Sequence, residues 1–276
     1  MAVDVERKGQ VDGAGRPGEP LLVACDLVKQ YGDRRVVDGV SLTLGRGETV
    51  GLVGESGSGK STVARMVLRL IEPTSGSVTF EGVDVLRLRS RPMRALRRRM
   101  CMVFQDPFGA LNPRMRVRQI LAEPFAIHGE RPEEGMPERL ATLLREVGLE
   151  TSALERFPHE FSGGQRQRIN IARALALKPD LLVLDEPVSA LDVSVGAQVI
   201  NLLRSLQQRY GLTYLFISHS MPLVRYLCDR VAVMQAGKLV EEGPVLDVCD
   251  RPREAYTRRL LEATPTLPGE AGRLRT

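Results

Sequence analysis

Runs of hydrophobic residues divide the first part of the chain into short extended elements. The segments 21–29 and 36–44 are typical of strands, and 49–53 predicts a short apolar strand. That strand leads directly into a glycine-rich loop, after which a helix is predicted from about residue 60 to 71. Two further short strands are predicted at 77–80 and 102–104.

The stretch from about 116 to 179 changes to a helical pattern. A helix end followed by a turn is predicted at 147–149. In the segment that starts at Gly164, hydrophobic positions fall on one helical face, at Ile169, Ala172, Leu175 and Ala176.

Strand patterns return after this region, at 181–184, 214–218 and 231–234. Between the first two, another amphipathic helix is marked by Val199, Leu202, Leu203 and Leu206. Strands that alternate with helices predict an α/β core with a mainly parallel sheet. The central helical stretch is expected to be an insertion into that core.

Composition narrows the class of protein. Residues 1–20 are polar and glycine-rich and lack an apolar signal-peptide region, so they predict a disordered tail. No run of about 18 apolar residues is present, so no membrane span is expected and the chain should stay in the cytosol. The four cysteines are scattered and form no C-x-x-C pair, which argues against a zinc or iron–sulfur site.

The net charge is +5, and much of it lies in the run 87–99, which holds seven arginines. A solvated helix face is the favoured interpretation of this run, and charge alone cannot establish nucleic-acid binding. Aromatic residues make up only 4% and Trp is absent, which argues against a base-stacking surface. We therefore expect no nucleic-acid partner.

The glycine-rich loop fits the P-loop pattern G-x-x-x-x-G-K-[ST]. Its glycines let successive backbone N–H groups point at phosphate oxygens, and the helix that follows adds the positive end of its dipole. Lys60 can reach the β- and γ-phosphates, and the Ser61 hydroxyl can bind Mg²⁺. A dinucleotide-binding fingerprint is rejected because Thr62 stands where it needs glycine. The predicted ATP-binding residues of this loop are Gly54, Glu55, Ser56, Gly57, Ser58, Gly59, Lys60, Ser61 and Thr62.

The apolar run 181–184 ends in two carboxylates, Asp185 and Glu186. A buried parallel strand would deliver such acids to the edge of the sheet where phosphates bind. Asp185 is predicted to hold Mg²⁺, and Glu186 to orient and deprotonate the attacking water. Such an ending is weak evidence alone and strong evidence together with a P-loop upstream.

A third motif separates this chain from other P-loop proteins. The segment 161–168, Phe-Ser-Gly-Gly-Gln-Arg-Gln-Arg, resembles the L-S-G-G-Q signature of the ABC (ATP-binding cassette) family, with Phe161 in place of leucine. In that family the site serves the γ-phosphate held by the opposite subunit. The resemblance therefore implies that the nucleotide is also contacted by Ser162, Gly163, Gly164 and Gln165.

Other family motifs follow in order. Tyr31 resembles the aromatic residue that stacks on adenine, with a surface tyrosine in a turn as the alternative. Gln105 resembles the Q-loop glutamine, which touches Mg²⁺ or water. Asp192 ends a segment that resembles the D-loop, which implies a further contact with nucleotide, and His219 resembles the switch histidine that contacts the γ-phosphate. The resemblance thus implies Glu186, His219 and Gln105 as catalytic residues and Ser61, Gln105 and Asp185 as Mg²⁺ ligands.

The resemblance covers about residues 21–264 and implies a RecA-like P-loop core, an antiparallel β subdomain and an inserted α-helical subdomain. We divide the chain into a tail (1–20), an ATPase domain (21–250, helical subdomain about 116–179) and a C-terminal extension (251–276). A head-to-tail dimer with two ATP molecules is also implied, with an identical or different second cassette.

Two segments resemble the ATPases of oligopeptide, dipeptide and nickel importers in particular. They are the extended Q-loop, 105–114, and the C-terminal stretch 255–263, where Glu254 and Ala255 replace the usual His-Pro before Tyr256. This implies integral membrane permeases as partners, an extracytoplasmic solute-binding protein as an indirect partner, and a place at the cytoplasmic face of the inner membrane. An exporter ATPase, or a soluble ABC protein acting on nucleic acid or the ribosome, remains the alternative.

Overall fold

The computed structural model describes residues 20–263. The predicted tail therefore lies outside the described residues except for Pro20, which begins the first strand, and so do the last residues of the C-terminal extension. Among residues 20–263, no helix is both long and apolar enough to cross a membrane.

Within residues 20–263, ten strands form two sheets. An antiparallel sheet has the order β2-β1-β4-β5. Its strands are β1 (Pro20–Tyr31), β2 (Arg34–Gly45), β4 (Ser75–Phe80) and β5 (Val83–Asp84). The second sheet has the order β10-β9-β3-β8-β7-β6 and is parallel except for its edge strand β10. Its strands are β3 (Thr49–Val53), β6 (Met100–Val103), β7 (Leu181–Asp185), β8 (Thr213–Ser218), β9 (Arg230–Gln235) and β10 (Lys238–Pro244).

The helices of the described residues pack around these sheets. They are α1 (Lys60–Val67), α2 (Ser90–Leu96), α3 (Val117–His128), α4 (Met136–Glu146), α5 (Gly163–Leu175), α6 (Val193–Tyr210), α7 (Met221–Leu227), α8 (Val245–Asp250) and α9 (Ala255–Glu262). Helices α3, α4 and α5 lie in the stretch predicted to be a helical insertion, and this prediction of helical structure is confirmed.

The parallel sheet separates two hydrophobic cores. Leu181 and Val183 of β7 pack on one side with β1, β2, β4 and α1. Leu182 and Leu184 of the same strand pack on the other side with α3 to α6. Because successive side chains of a strand point to opposite faces, a strand covered on both faces needs a continuous apolar run. That is why β7 lacks the polar–apolar alternation of a half-exposed strand.

Two local expectations differ from the structure. Helix α1 ends at Val67 instead of continuing to 71, because Arg69 turns with φ +48° and Pro73 follows shortly after. The arginine run 87–99 is only partly a solvated face. Arg98 forms a 2.7 Å ion pair with Glu130, and Arg99 lies 2.6 Å from Asp180. The later arginines of the run therefore connect α2 and the start of β6 to neighbouring elements.

Candidate functional site

The loop after β3 adopts a conformation that requires glycine at two positions. Gly54 has φ +148°, and a Cβ there would lie 2.1 Å from the backbone oxygen of Met234. Gly59, the N-cap of α1, has φ +105°, and a Cβ would lie 2.7 Å from the backbone oxygen of Val36. A residue with a Cβ could not adopt these dihedral angles so close to neighbouring backbone atoms, so both positions require glycine. The loop therefore curls tightly before α1, as the P-loop pattern predicts.

This loop forms one wall of a cavity of about 670 Å³. Strand β2 and the segments after β6, β7 and β8 supply other walls. The lining residues are Arg34, Val36, Ser56, Gly57, Gly59, Lys60, Ser61, Thr62, Gln105, Glu186 and His219. The sequence separates these residues by up to 185 positions, between Arg34 and His219. The cavity lies where the carboxyl ends of parallel strands meet a helix N-terminus, a common place for phosphate binding.

Lys60 is buried and points back along the loop. Its Nζ donates to the backbone oxygens of Gly54 at 2.8 Å and of Glu55 at 2.7 Å. Burial lowers the pKa of Lys60, while the charges of Glu186 and Asp185 oppose that shift. The ammonium group is thus a poorly solvated cation at the base of the cavity. Contact with an anion would stabilise the charged form of such a group.

Asp185 ends β7 beside the start of α1. The Ser61 hydroxyl donates to Oδ1 of Asp185 at 3.0 Å. Burial raises the pKa of Asp185; the Ser61 hydrogen bond opposes the shift, and the charge of Glu186 adds to it. A carboxylate that is costly to ionise is relieved by a bound cation, and the carboxylate and hydroxyl oxygens are hard ligands. These two residues therefore fit Mg²⁺.

Three residues predicted to be catalytic meet at one oxygen atom. Nε2 of Gln105 donates to Oε2 of Glu186 at 3.1 Å, and Nδ1 of His219 lies 3.3 Å from the same Oε2. Gln105 follows β6, and His219 follows β8. Because β7 lies between β6 and β8 in the sheet, the three strand ends bring these side chains together.

The backbone of Glu186 is unusual, with φ +46°. Its N–H donates to the backbone oxygen of Ile217 at 3.0 Å, which continues the pairing with β8 past the end of β7. A left-handed conformation is uncommon for a residue with a Cβ and is often found at functional sites. The Glu186 side chain lines the P-loop cavity.

The signature segment lies elsewhere. Ser162 is the N-cap of α5: its Oγ accepts from the Gln165 N–H at 3.3 Å, and its own N–H donates to Oε1 of Gln165 at 3.0 Å. A Cβ on Gly164 would lie 2.2 Å from Cγ1 of Val195 in α6. The segment is therefore held by a capping box and by close helix packing. Of the four signature residues predicted to contact nucleotide (162–165), none lines the cavity beside Lys60.

Two predicted ligands lie apart from the P-loop cavity. Tyr31, at the end of β1, is 53% exposed and does not line the P-loop cavity. The ammonium group of Lys29 lies 5.0 Å from the centroid of the Tyr31 ring. Asp192 is the N-cap of α6, with Oδ1 accepting from the Val195 N–H at 2.9 Å. It lines a second, mainly apolar cavity of about 410 Å³, which also includes Glu186 and His219. Their roles toward nucleotide remain predictions.

Three residues of this region were not predicted from the sequence to belong to the site. Arg34 and Val36 of β2 line the P-loop cavity, although no motif marks them. Tyr256 of α9 contacts the P-loop itself: the backbone N–H of Glu55 donates to its hydroxyl at 3.0 Å. The sequence identified Tyr256 only as part of a C-terminal stretch, because a contact across 201 positions leaves no local pattern.

Comparisons with known proteins agree with this geometry. Residues 37–189 match the family described as ABC transporter. The chain is 51% identical to the oligopeptide transport ATP-binding protein AppF of Bacillus subtilis over 238 residues, which are 86% of this chain and 72% of AppF. It is 46% identical to the dipeptide transport ATP-binding protein DppF of Escherichia coli over 259 residues, covering 90% and 78% of the two chains.

A solved structure is similar across the same region. It is the dimeric ATP-binding cassette MJ0796 in a post-hydrolysis state with ADP and phosphate bound. Its TM-score is 0.72 at 28% sequence identity, and the match covers 81% of this chain and 98% of that one. The predicted arrangement of a P-loop core, an antiparallel β subdomain and an inserted helical region is confirmed by this likeness and by the sheets described above. From the family match and these identities, this chain belongs to the ABC transporter family.

Proposed function

We propose that this chain binds and hydrolyses ATP and thereby powers the import of peptides or a related solute through separate membrane subunits. The observation that carries the proposal is the meeting of Gln105, Glu186 and His219 beside the P-loop cavity. A phosphate-binding loop alone would support nucleotide binding. The added carboxylate, positioned by an amide and an imidazole, supports hydrolysis.

Binding rests on the P-loop and on Lys60. Gly57 and Gly59 line the cavity at the start of α1, where the helix dipole favours an anion. The Lys60 ammonium supplies a buried positive charge that can leave its carbonyl partners for phosphate oxygens. The proposed Mg²⁺ ligands are Ser61, Asp185 and Gln105. Gln105 also donates a hydrogen bond to Glu186. When bound, Mg²⁺ would neutralise charge on the phosphates.

Glu186 is the proposed general base. Its Oε2 accepts from Gln105 and lies beside His219, so the carboxylate is oriented while its remaining acceptor sites can bind water. A water held there can give its proton to Glu186 as it attacks the γ-phosphorus, while the bond from that phosphorus to the β–γ bridging oxygen breaks and ADP leaves. A positioned base contributes about 10²–10⁴-fold to the rate. His219, which is 60% exposed, is free to contact the γ-phosphate.

The signature segment is proposed to act on the nucleotide of a second subunit. Ser162 caps a helix N-terminus, which suits an anion, yet it does not line the cavity that contains Lys60. A head-to-tail dimer would place it over the partner's P-loop. The dimeric state of the similar ADP-bound cassette supports this arrangement.

The names of the relatives support the proposed solute class. AppF is named for oligopeptide transport and DppF for dipeptide transport. The proposed contact with a permease is the segment 105–114, which presents an exposed aromatic ring at Phe108 and directly follows the exposed Phe104. The Arg166 guanidinium lies 4.2 Å from the Phe108 ring centroid and orients it. This subunit would then work at the cytoplasmic face of the inner membrane.

The proposal is tested with the purified chain and its membrane partners in proteoliposomes. We expect Mg²⁺-dependent ATP hydrolysis and ATP-driven uptake of a labelled di- or oligopeptide, both lost in Lys60→Ala because the phosphate-binding charge is removed. Equal ATP affinity of Lys60→Ala and wild type would refute the nucleotide site. Hydrolysis without uptake of any peptide would refute the solute class and leave the ATPase activity standing.

A further inference from the structure

The C-terminal helix α9 is in direct contact with the phosphate-binding loop. Tyr256, in its first turn, is 6% exposed, and its ring belongs to the hydrophobic core that also includes α3 to α6. Its hydroxyl accepts the hydrogen bond from the Glu55 N–H at 3.0 Å. Glu55 directly follows Gly54, the first residue of the loop. The hydroxyl of a buried tyrosine in α9 is therefore hydrogen-bonded to the backbone at the start of the loop.

The bonded peptide unit has a second partner on its other side. The N–H of Glu55 and the carbonyl of Gly54 belong to the same planar peptide group. The carbonyl accepts from Nζ of Lys60 at 2.8 Å, while the N–H donates to Tyr256. In a trans peptide these two groups point in opposite directions. Tyr256 and Lys60 therefore hold this peptide plane from its two sides, and a rotation of the plane would break both contacts.

We propose that Tyr256 is a positioning residue for nucleotide binding, which fixes the Gly54–Glu55 peptide and through it the resting place of the Lys60 ammonium. The inference rests on the proposed ATPase function and assigns to α9 a part in it. Tyr256 does not line the cavity, so it acts through the loop and not on the nucleotide. Its removal should weaken phosphate binding without disturbing Glu186, Gln105 and His219.

The anchoring of α9 supports this role. The carboxylate of Glu241 in β10 accepts from the Arg253 N–H at 2.8 Å and from the Glu254 N–H at 3.2 Å, immediately before α9. The same β-hairpin contacts the P-loop at its turn, where the Gly237 N–H donates to the Ser58 oxygen at 3.0 Å. One hairpin therefore contacts both the loop and the base of α9. The helix is fixed relative to the loop and does not merely rest on it.

The test is steady-state kinetics of Tyr256→Phe in the full chain assembled with its partners. The variant keeps the ring in the core and removes only the hydroxyl. We expect KM for ATP to rise about two- to tenfold, the range of one lost hydrogen bond, while kcat per active site stays unchanged. The matched control is Tyr214→Phe, which removes another buried hydroxyl bonded to the Leu203 oxygen at 3.0 Å. That variant should lose stability and leave KM unchanged.

Three outcomes would overturn the inference. They are an unchanged KM in Tyr256→Phe, an equal rise in Tyr214→Phe, or a fall in kcat alone. Glu241→Gln weakens the anchor of α9 and should raise KM less than additively with Tyr256→Phe, whereas full additivity would contradict a shared route. Lys60→Ala is measured in parallel. If it keeps its ATP affinity, the nucleotide site itself is wrong; if it loses affinity while Tyr256→Phe does not, only the role of Tyr256 fails.

Discussion

Nδ1 of His219 lies 3.3 Å from Oε2 of Glu186, the same oxygen that accepts a hydrogen bond from Gln105. One carboxylate oxygen is thus oriented from two neighbouring strand ends, while the carboxylate keeps acceptor sites for water. Through the role proposed for His219, this contact would also couple the γ-phosphate to the proposed base. Catalysis at Glu186 should therefore depend on both neighbours.

Glu186→Gln should lower ATP turnover by about 10²–10⁴-fold, because the amide keeps the size of the side chain but cannot accept a proton. ATP binding should persist, so the variant should accumulate as an ATP-bound dimer with itself or with its partner cassette. Steady-state ATPase rates and size-exclusion mass in ATP against ADP measure the two effects. If Glu186→Gln in the assembled complex hydrolyses ATP at nearly the wild-type rate, Glu186 is not the general base. A Glu186→Gln variant that neither hydrolyses ATP nor associates in an ATP-dependent manner would contradict the proposed dimer.

Ser162→Asp should stop turnover and leave ATP binding to the isolated monomer intact. Aspartate is as good an N-cap as serine, so α5 keeps its cap, but the added charge repels a phosphate presented by the other subunit. Ser162→Asn is the neutral control and should retain more activity. The measurements are ATP affinity in dilute monomer and ATPase rate in the complex. Loss of monomer binding as complete as in Lys60→Ala would contradict the head-to-tail arrangement.

Gly164→Ala should destabilise the protein by about 1–3 kcal/mol, because its Cβ would lie 2.2 Å from Cγ1 of Val195, a stiff β-branched side chain. Gly196→Ala in α6 is the matched control, since its Cβ would meet only Val188, at an ordinary 3.6 Å. The control should be neutral or up to about 1 kcal/mol more stable. The free energy of unfolding of both variants is measured by denaturant titration. Equal values for the two variants would contradict close packing of α5 on α6.

Glu241 should give α9 a pH-dependent anchor. Burial would raise the pKa of Glu241, but the Arg253 N–H, the Thr257 hydroxyl, the Glu254 N–H and the Arg253 charge together outweigh it, and the pKa lies below its ordinary 4.5. Because the folded pKa is lower than the unfolded one, this contribution is fully present above the unfolded pKa and is lost as pH falls through the folded pKa. The stability advantage of wild type over Glu241→Gln should therefore be constant above about pH 5 and shrink below it.

The measurement is the denaturation midpoint of both proteins across that pH range. Glu262→Gln, which changes an exposed glutamate at the end of α9, is the control and should show no such shrinkage. A wild-type advantage that grows on acidification would reverse the expected sign.

Phe108→Asp should uncouple hydrolysis from transport. Phe108 is 56% exposed in the segment proposed to meet a permease, and a charge there would be desolvated on contact. ATPase activity of the isolated cassette should stay close to wild type while solute uptake is lost. Leu246→Asp changes an equally exposed hydrophobic residue of α8, 57% exposed, and should leave uptake intact. Uptake by Phe108→Asp at the wild-type rate would exclude this surface as the contact.

Much of the fold and of the site was predictable because its determinants are local. The apolar run of β7 predicts a strand covered on both faces, and confirmed strands at 49–53 and 181–184 frame the P-loop and the acidic pair. The glycines at 54 and 59 indicate a curled loop because only glycine adopts those dihedral angles against nearby backbone. Short elements such as β5 and α8 escaped prediction, since two to six residues carry too little periodicity.

The sequence by itself determined which residues are predicted to carry the chemistry, because motifs such as 54–61 and 161–165 place particular residue types at fixed spacing. Tertiary structure decided how distant residues meet. The strand order β6-β7-β8 brings Gln105, Glu186 and His219 to one point, although they are separated by 81 and 33 positions in the chain. The tertiary structure also brings the Tyr256 hydroxyl to the Glu55 N–H, a contact that depends on how α9 packs against the core. Strand order and helix docking arise from burial of surfaces contributed by the whole chain, and no local pattern encodes them.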